Sequence, residues 1–191
     1  LHIRHFRERM FNRKASDPKN RPDQILETLA LRPGQNIADI GAGGGYFSLR
    51  FAEAVESEGK VYAVDTDEES LDFLASEAKE RVLDNIETVL VTEGSLPLPE
   101  RSLDLVFMRN AYHHLTDRVQ YLRRLACLLK PCGRVAIVEY RGAAPFSFRG
   151  LFRHYVPQER IVDEMEKAGY RRDGAFGFLP EQSFTIFSVR D

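Results

Sequence analysis

Five short runs of near-continuous apolar residues punctuate the sequence: IADI, VYAV, VLV, LVFM and VAIV, within residues 35–40, 60–65, 86–91, 103–108 and 133–140. They lack the every-second-residue alternation of a half-solvated strand, so both of their faces must be covered. Segments with helical spacing lie between them. Residues 46–55 set Phe47, Phe51 and Val55 four apart, and residues 68–83 put Leu71, Leu74, Ala78 and Val82 on one face behind an acidic first turn. Further helices are expected over 21–31, over 117–130 with Pro131 as the stop, and over 157–169 with Gly169 near the end. Strands of this type alternating with helices imply a doubly wound, mostly parallel α/β sheet with right-handed crossovers and helices on both faces. Two last strands, near Gly174–Phe178 and Phe184–Val189, are joined by LPEQ alone. So short a connection requires a hairpin, which brings one antiparallel strand into the sheet.

A length of 191 residues with 43% hydrophobic and 29% charged residues fits a single globular domain over 1–191. Net charge is −2, so nothing in the overall balance favours nucleic acid as a partner. No apolar run reaches the roughly 18 residues of a membrane span, and no cleavable leader pattern is visible, so the expected location is the cytoplasm. Cys127 and Cys132 are too few for a disulfide framework or a zinc site. Cys127 falls in a helical apolar stripe and is expected in the core; no metal is expected. Nothing in the sequence fixes an oligomeric state.

The first strand runs into DIGAGGGYF, residues 39–47, with glycine at 41, 43, 44 and 45. Such density costs backbone entropy and requires a reason. A strand feeding a helix presents free N–H groups at the helix start, suited to an anionic ligand group. The pattern is D-x-G-x-G-x-G, and Tyr46 stands where a dinucleotide loop has its third glycine. The second strand ends at Asp65, twenty positions after Gly45, where an acid can accept bonds from ribose hydroxyls. Asp39, ahead of the glycines, would repel a pyrophosphate but suits an ammonium or sulfonium. S-adenosyl-L-methionine meets all three demands: its carboxylate on the loop N–H groups, its ammonium on the Asp39 side and its ribose on Asp65.

Here the sequence resembles the class I, Rossmann-like, S-adenosylmethionine-dependent methyltransferases, in the type 11 branch that includes the ubiquinone and menaquinone C-methyltransferases. Four blocks carry the resemblance in order: IADIGAGGGYFSLRFA, VYAVDTDEESLDFL, EGSLPLPERSLDLVFMRNAYHHL and LLKPCGRVAIVE. It covers roughly residues 22 to 170, the cofactor-binding core, between an N-terminal arm over 1–21 and a hairpin over 171–191. The resemblance implies a seven-stranded sheet of order 3-2-1-4-5-7-6 with the last strand antiparallel. It implies cofactor contacts at Asp39, Gly41, Ala42, Gly43, Gly45, Asp65 and Thr66, at Ser95 and Leu96 around the adenine, and at Arg109 and Asn110 near the methionine end. Ser95 stands where the family often has Asp, and Cys132 replaces the first glycine of the family's PGG turn, a change read as structural.

Methyl transfer needs an aligned nucleophile more than side-chain chemistry. A base is needed only for a protonated acceptor. His113 and His114, taken to open the helix after the fourth strand, and His154 are the candidates; a histidine pair at 113–114 also recurs in family members with different substrates. Glu139 either faces the substrate or only finishes strand five. The arm carries seven Lys/Arg against two Asp/Glu. A single-stranded RNA grip, a membrane-surface helix using Ile3, Phe6, Met10 and Phe11, and packing over the sheet are its three readings. We expect the arm and the substrate-side segment 141–156 to roof a pocket for a small, partly apolar acceptor, lined by Tyr140, Phe146, Phe148, Arg149, Phe152 and His154. The resulting expectation is a methyltransferase acting on a small molecule. A non-catalytic module of the same fold and an NAD-dependent oxidoreductase are the alternatives, the latter leaving Asp39 and Tyr46 unexplained.

Overall fold

The computed structural model describes residues 5–92, 95–142 and 155–190. The chain forms two compact units, residues 1–97 and 98–191. In the first, helix α1 (Phe6–Ser16) and a 3-10 turn (Pro18–Asn20) lead to α2 (Pro22–Leu29), β1 (Asn36–Ile40), α3 (Tyr46–Val55), β2 (Lys60–Asp65), α4 (Glu68–Glu80) and β3 (Ile86–Leu90). Strands β1, β2 and β3 are parallel neighbours, with Asp39 opposite Ala63 and Val64 opposite Val89. Phe47, Phe51 and Val55 of α3 are all buried, as their spacing requires. Each large side chain so buried is worth about 1.5–3 kcal/mol. Leu49 joins Ala63, Leu74 and Ala78 in a cluster that seats α3 and α4 on β2.

The second unit holds β4 (Leu103–Arg109), a 3-10 turn (Tyr112–His114), α5 (Arg118–Ala126), β5 (Leu129–Tyr140), α6 (Gln158–Lys167), β6 (Tyr170–Phe176) and β7 (Gln182–Val189). Strand β4 runs parallel to β5, while β7 is antiparallel to both β5 and β6. The strand order is β3-β2-β1-β4-β5-β7-β6, the seven-stranded arrangement with an antiparallel last strand that the motifs imply.

Local readings differ from the structure in four places. The helix expected to 83 ends at Glu80, and Val82 takes a left-handed φ of 58°, which leaves it 78% exposed instead of on the buried face. The helix expected over 117–130 stops at Ala126 because Leu129 already pairs with Leu103. Strand β5 then carries extra residues before Arg134 pairs with Leu105, and Cys132 lies in this irregularity at φ 68°. Cys127 is exposed rather than in the core, because Leu122, Leu125 and Leu128 fill the buried positions. His113 and His114 form a 3-10 turn, and the following helix starts only at Arg118.

One buried polar hub orders the second unit. Glu164 on α6 accepts from Tyr112 Oη at 2.8 Å, from Arg118 Nε and Nη2 at 2.7 and 3.0 Å, and from Arg160 Nε at 2.9 Å. Burial pushes the Glu164 carboxyl up, but the bonds from Arg118, Arg160 and Tyr112 outweigh it and hold it below the usual carboxylate value. Burial and the Glu164 bond push the Tyr112 phenol far up, so it stays a donor. A carboxyl with a depressed folded pKa stabilises above its unfolded pKa and ceases to as the pH falls through its folded value. We therefore expect Glu164→Ala to cost about 3–5 kcal/mol at neutral pH. Urea denaturation at stepped pH should show the gap between wild type and variant closing below about pH 4.

Candidate functional site

The loop 41–45 is anchored from beneath. The N–H groups of Gly41 and Ala42 both donate to the Val64 carbonyl at the end of β2, at 2.8 and 3.1 Å. Gly43 N–H donates to Asp65 Oδ2 at 2.8 Å. The other Asp65 oxygen accepts from Thr66 N at 2.7 Å and Asp67 N at 3.1 Å. Three loop N–H groups that the sequence offers to a ligand carboxylate are thus engaged by the protein. Asp65 is half-buried at the strand end, with carboxylate lone pairs beyond these three bonds. Thr66 beside it is exposed.

Asp39 does something the sequence did not disclose. It is 3% exposed, and Ser48 Oγ on α3 donates to its Oδ2 at 2.6 Å. This bond ties β1 to α3 beneath the loop.

The clustered glycines answer to different neighbours. A Cβ at Gly45 would collide with the Leu74 side chain, and Gly45 has φ +81° as the N-cap of α3. A Cβ at Gly44 would stand 2.5 Å from Asn12 Oδ1 and 2.7 Å from the Glu8 carbonyl, both on α1. Asn12 Nδ2 also donates to the Gly44 carbonyl at 2.7 Å, and Arg7 pairs with Asp67, which caps α4 through Ser70. The N-terminal arm therefore lies on the glycine loop. At Gly43, φ is +53° and no heavy atom lies within 4 Å of an added Cβ. That face of the loop, beside Asp65, is open.

Ser95 is exposed; its Oγ donates to the Thr92 carbonyl at 3.1 Å, which leaves the oxygen as an acceptor. Leu96 is half-buried.

In the second unit, Arg109 ends β4, and Asn110 follows with φ 54°, its Oδ1 accepting from Gln182 Nε2 at 2.6 Å. Such a conformation is costly for a non-glycine residue and needs this support. His113 Nδ1 lies 3.0 Å from Glu139 Oε2, which also accepts the His113 backbone N–H at 3.3 Å. Glu139 is fully buried, and its other oxygen accepts from Tyr140 N at 2.9 Å. With Glu139 Oε2 as the acceptor, His113 Nδ1 is the donor and Nε2 is the ring's other nitrogen. His114 packs against His113, with ring centroids 4.0 Å apart and planes tilted by 44°. The His113–Glu139 pair is the arrangement sequence reasoning missed; it considered both residues but separately, because 26 positions part them. Tyr140 is buried at the end of β5. Phe146, Phe148, Arg149, Phe152 and His154 lie outside the described residues, as does Ile3.

Residues 37–133 match the family described as "Methyltransferase domain". Over 140 residues the chain is 30% identical to an uncharacterized methyltransferase, YcgJ, of Bacillus subtilis, covering 73% of this chain and 49% of that protein. It is 28% identical over 131 residues to a demethylmenaquinone methyltransferase of Geobacillus stearothermophilus, covering 69% and 56%. The chain thus spans about half the length of these curated relatives. Among solved structures, a SAM dependent methyltransferase from Aquifex aeolicus superposes with a TM-score of 0.87 at 21% identity, over 96% of this chain and 97% of that one. That likeness establishes the fold.

The glycine geometry separates three variants. Gly45→Ala meets both a left-handed φ and the Leu74 side chain, and should lose about 2–3 kcal/mol. Gly43→Ala meets only the φ penalty, about 1 kcal/mol. Gly44→Ala should dislodge α1, read as faster proteolysis within residues 5–16. Thermal denaturation with limited proteolysis checks all three.

Proposed function

Because the chain belongs to the methyltransferase domain family, we propose that it transfers a methyl group from S-adenosyl-L-methionine to a small-molecule acceptor. The observation that carries this reading is the open face at Gly43 beside the Asp65 carboxylate. A ligand can lie against backbone there, and a half-buried anion stands ready to accept from a ribose diol. These residues fit the cofactor. Asp65 holds its ribose hydroxyls, Thr66 and Ser95 border the adenine, and Ser95 offers an acceptor to the adenine amino group in place of the family's Asp. Gly41, Ala42, Gly43 and Gly45 shape the loop, with Asp39 securing it from below. Arg109 and Asn110 contribute from the end of β4. The bound cofactor supplies an electrophilic methyl on a sulfonium, so the protein's work is to position the acceptor and manage its proton.

His113 takes that proton when the acceptor is an O–H, N–H or C–H acid. Glu139 holds the imidazole by Nδ1 and stabilises the imidazolium that forms, which makes Glu139 a positioning residue. The acceptor is small and partly apolar, and Tyr140, Phe146, Phe148, Arg149, Phe152 and His154 are the side chains proposed to meet it. The name of the Geobacillus relative, a demethylmenaquinone methyltransferase, supports a ring-bearing acceptor of this kind.

Calorimetric titration should show binding of S-adenosylhomocysteine and none of NADH. Asp65→Ala should weaken S-adenosylhomocysteine about 10- to 100-fold in a folded protein, the loss of two charge-assisted hydrogen bonds. Tight NADH binding without S-adenosylhomocysteine binding would make the chain an oxidoreductase.

Turnover with a panel of phenolic and quinol acceptors tests the second half of the reading. His113→Gln should lower kcat about 10²- to 10⁴-fold while leaving S-adenosylhomocysteine affinity unchanged. Cofactor binding without turnover on any acceptor would make the chain a non-catalytic module.

A further inference from the structure

A cleft of about 320 Å³ opens between α1, α3 and α4, lined by side chains that include Arg9, Arg13, Arg50 and Arg81. Its floor is apolar, with Leu49 and Phe73 both buried. None of its lining residues belongs to the loop 41–45 or to the end of β2, so it is distinct from the site above.

The charge around this cleft is unbalanced. Glu77 is the one carboxylate on the lining, 3.9 Å from Arg81 Nη2. Arg81 also lies 3.6 Å from Glu53, and Arg50 pairs with Asp23 at 2.9 Å and with the Tyr46 hydroxyl at 3.1 Å. The two arginines of α1 differ. Arg9 lies over the Phe73 ring at 5.7 Å, and no carboxylate among the described residues pairs with Arg9 or Arg13. Two unpaired guanidinium groups one helical turn apart therefore share a concave wall with two paired ones. Like charges four apart on a helix destabilise it, so the arrangement costs stability unless an anion sits between them. Planar guanidinium forks match phosphate oxygens in pairs, and a half-enclosed cleft strengthens such contacts over those at an open surface.

We propose that this cleft is a binding site for a phosphoryl anion carried by a small molecule. Arg9 and Arg13 grip its oxygens, Arg50 and Arg81, already paired with carboxylates, complete the wall, and Leu49 and Phe73 accept the adjoining apolar part of the molecule. Glu77 sets a limit on the charge the site tolerates and favours a ligand that approaches from the α1 side.

Inorganic pyrophosphate is the probe, titrated into the full chain by calorimetry at low salt, with Arg13→Gln, the double variant Arg9→Gln/Arg13→Gln, and two controls elsewhere, Lys167→Gln on α6 matching the single variant in charge and Lys167→Gln/Arg172→Gln matching the double. The expected result is saturable one-to-one binding, weakened more than about tenfold by the double variant and unchanged by the controls. Arg13 is exposed, so its single variant keeps the fold and should show part of the loss. Absence of pyrophosphate binding, or equal weakening by the charge-matched control, would overturn the proposal. A parallel arm sediments the protein with phosphatidylcholine vesicles, with and without phosphatidylglycerol. Sedimentation that depends on Arg9 and Arg13 when pyrophosphate does not bind would assign the cleft to a lipid headgroup and overturn the small-molecule source.

Discussion

Where β1 hands over to α3, three successive loop N–H groups are held by acceptors at the end of β2. The Val64 carbonyl takes two loop N–H groups and the Asp65 carboxylate takes a third. A five-residue loop tied at successive residues has little freedom left, and its glycine φ values follow from the path those bonds impose. The position of α3 follows in turn, since Gly45 is its N-cap and Asp39 reaches from β1 to Ser48 on it. The site is therefore a consequence of how two parallel strands end side by side, one giving a loop and the other an acid that holds it. The same Asp65 that would meet a ribose is a structural clamp first, and a ligand must share it with Gly43.

The density of glycine in DIGAGGGYF resolves into separate pressures. Gly45 yields to Leu74 of α4, Gly44 yields to the α1 backbone at Glu8, and Gly43 yields to nothing in the protein. That position answers to its left-handed φ of +53° rather than to a neighbouring atom. The N-terminal arm, which the sequence marks only by its mixture of arginine and phenylalanine, explains a glycine that the cofactor pattern does not need. Its inward face is Glu8 and Ala15 with Asn12 beside them, while Phe6, Met10 and Phe11 point to solvent at 69%, 49% and 46% exposure. The periodicity of its apolar residues thus points away from its contact face, the reverse of an ordinary surface helix.

The strand–helix alternation and the hairpin were legible because burial on both faces leaves an apolar run in β1, β2, β4 and β5, and because LPEQ is too short for a crossover; the run in β3 was misread as covered on both faces, since β3 is the sheet's edge strand and leaves Leu90 51% exposed. Helix ends were less legible. Val82 continues the apolar period of α4, yet the chain turns left-handed there, and Leu83 N–H returns to the Ala78 carbonyl at 2.9 Å. Nothing in the spacing announces that closing turn. Leu129 was misread for a related reason: strand pairing with Leu103 competes for a residue that the helical period also claims. Around the loop, the end of β2 at Asp65 and the turn into α3 were legible from position, whereas the bond from Ser48 to Asp39 was not. A sequence shows that a charge is present; it does not show which nearby hydroxyl will reach it.

The buried carboxylates share a use that apolar packing cannot serve. Asp39, Glu139 and Glu164 are each buried, and each bonds a side chain from a different element: α3, the turn 112–114, and both that turn and α5. Apolar side chains can slide by a fraction of a turn at small cost, but a buried anion leaves its partner only at the cost of desolvation left uncompensated. Asp39 and Glu139 therefore each fix a helix or turn against a strand at a single setting, and Glu164 fixes the turn 112–114 and α5 against α6. For Glu139 that setting is the orientation of an imidazole, and for Asp39 it is the pitch of the helix under the glycine loop. In Glu164 there is no ligand-facing partner at all, only Tyr112 and two arginines. The position of His113 and the seating of α3 beneath the loop are thus set by the same device that orders the second unit's polar hub.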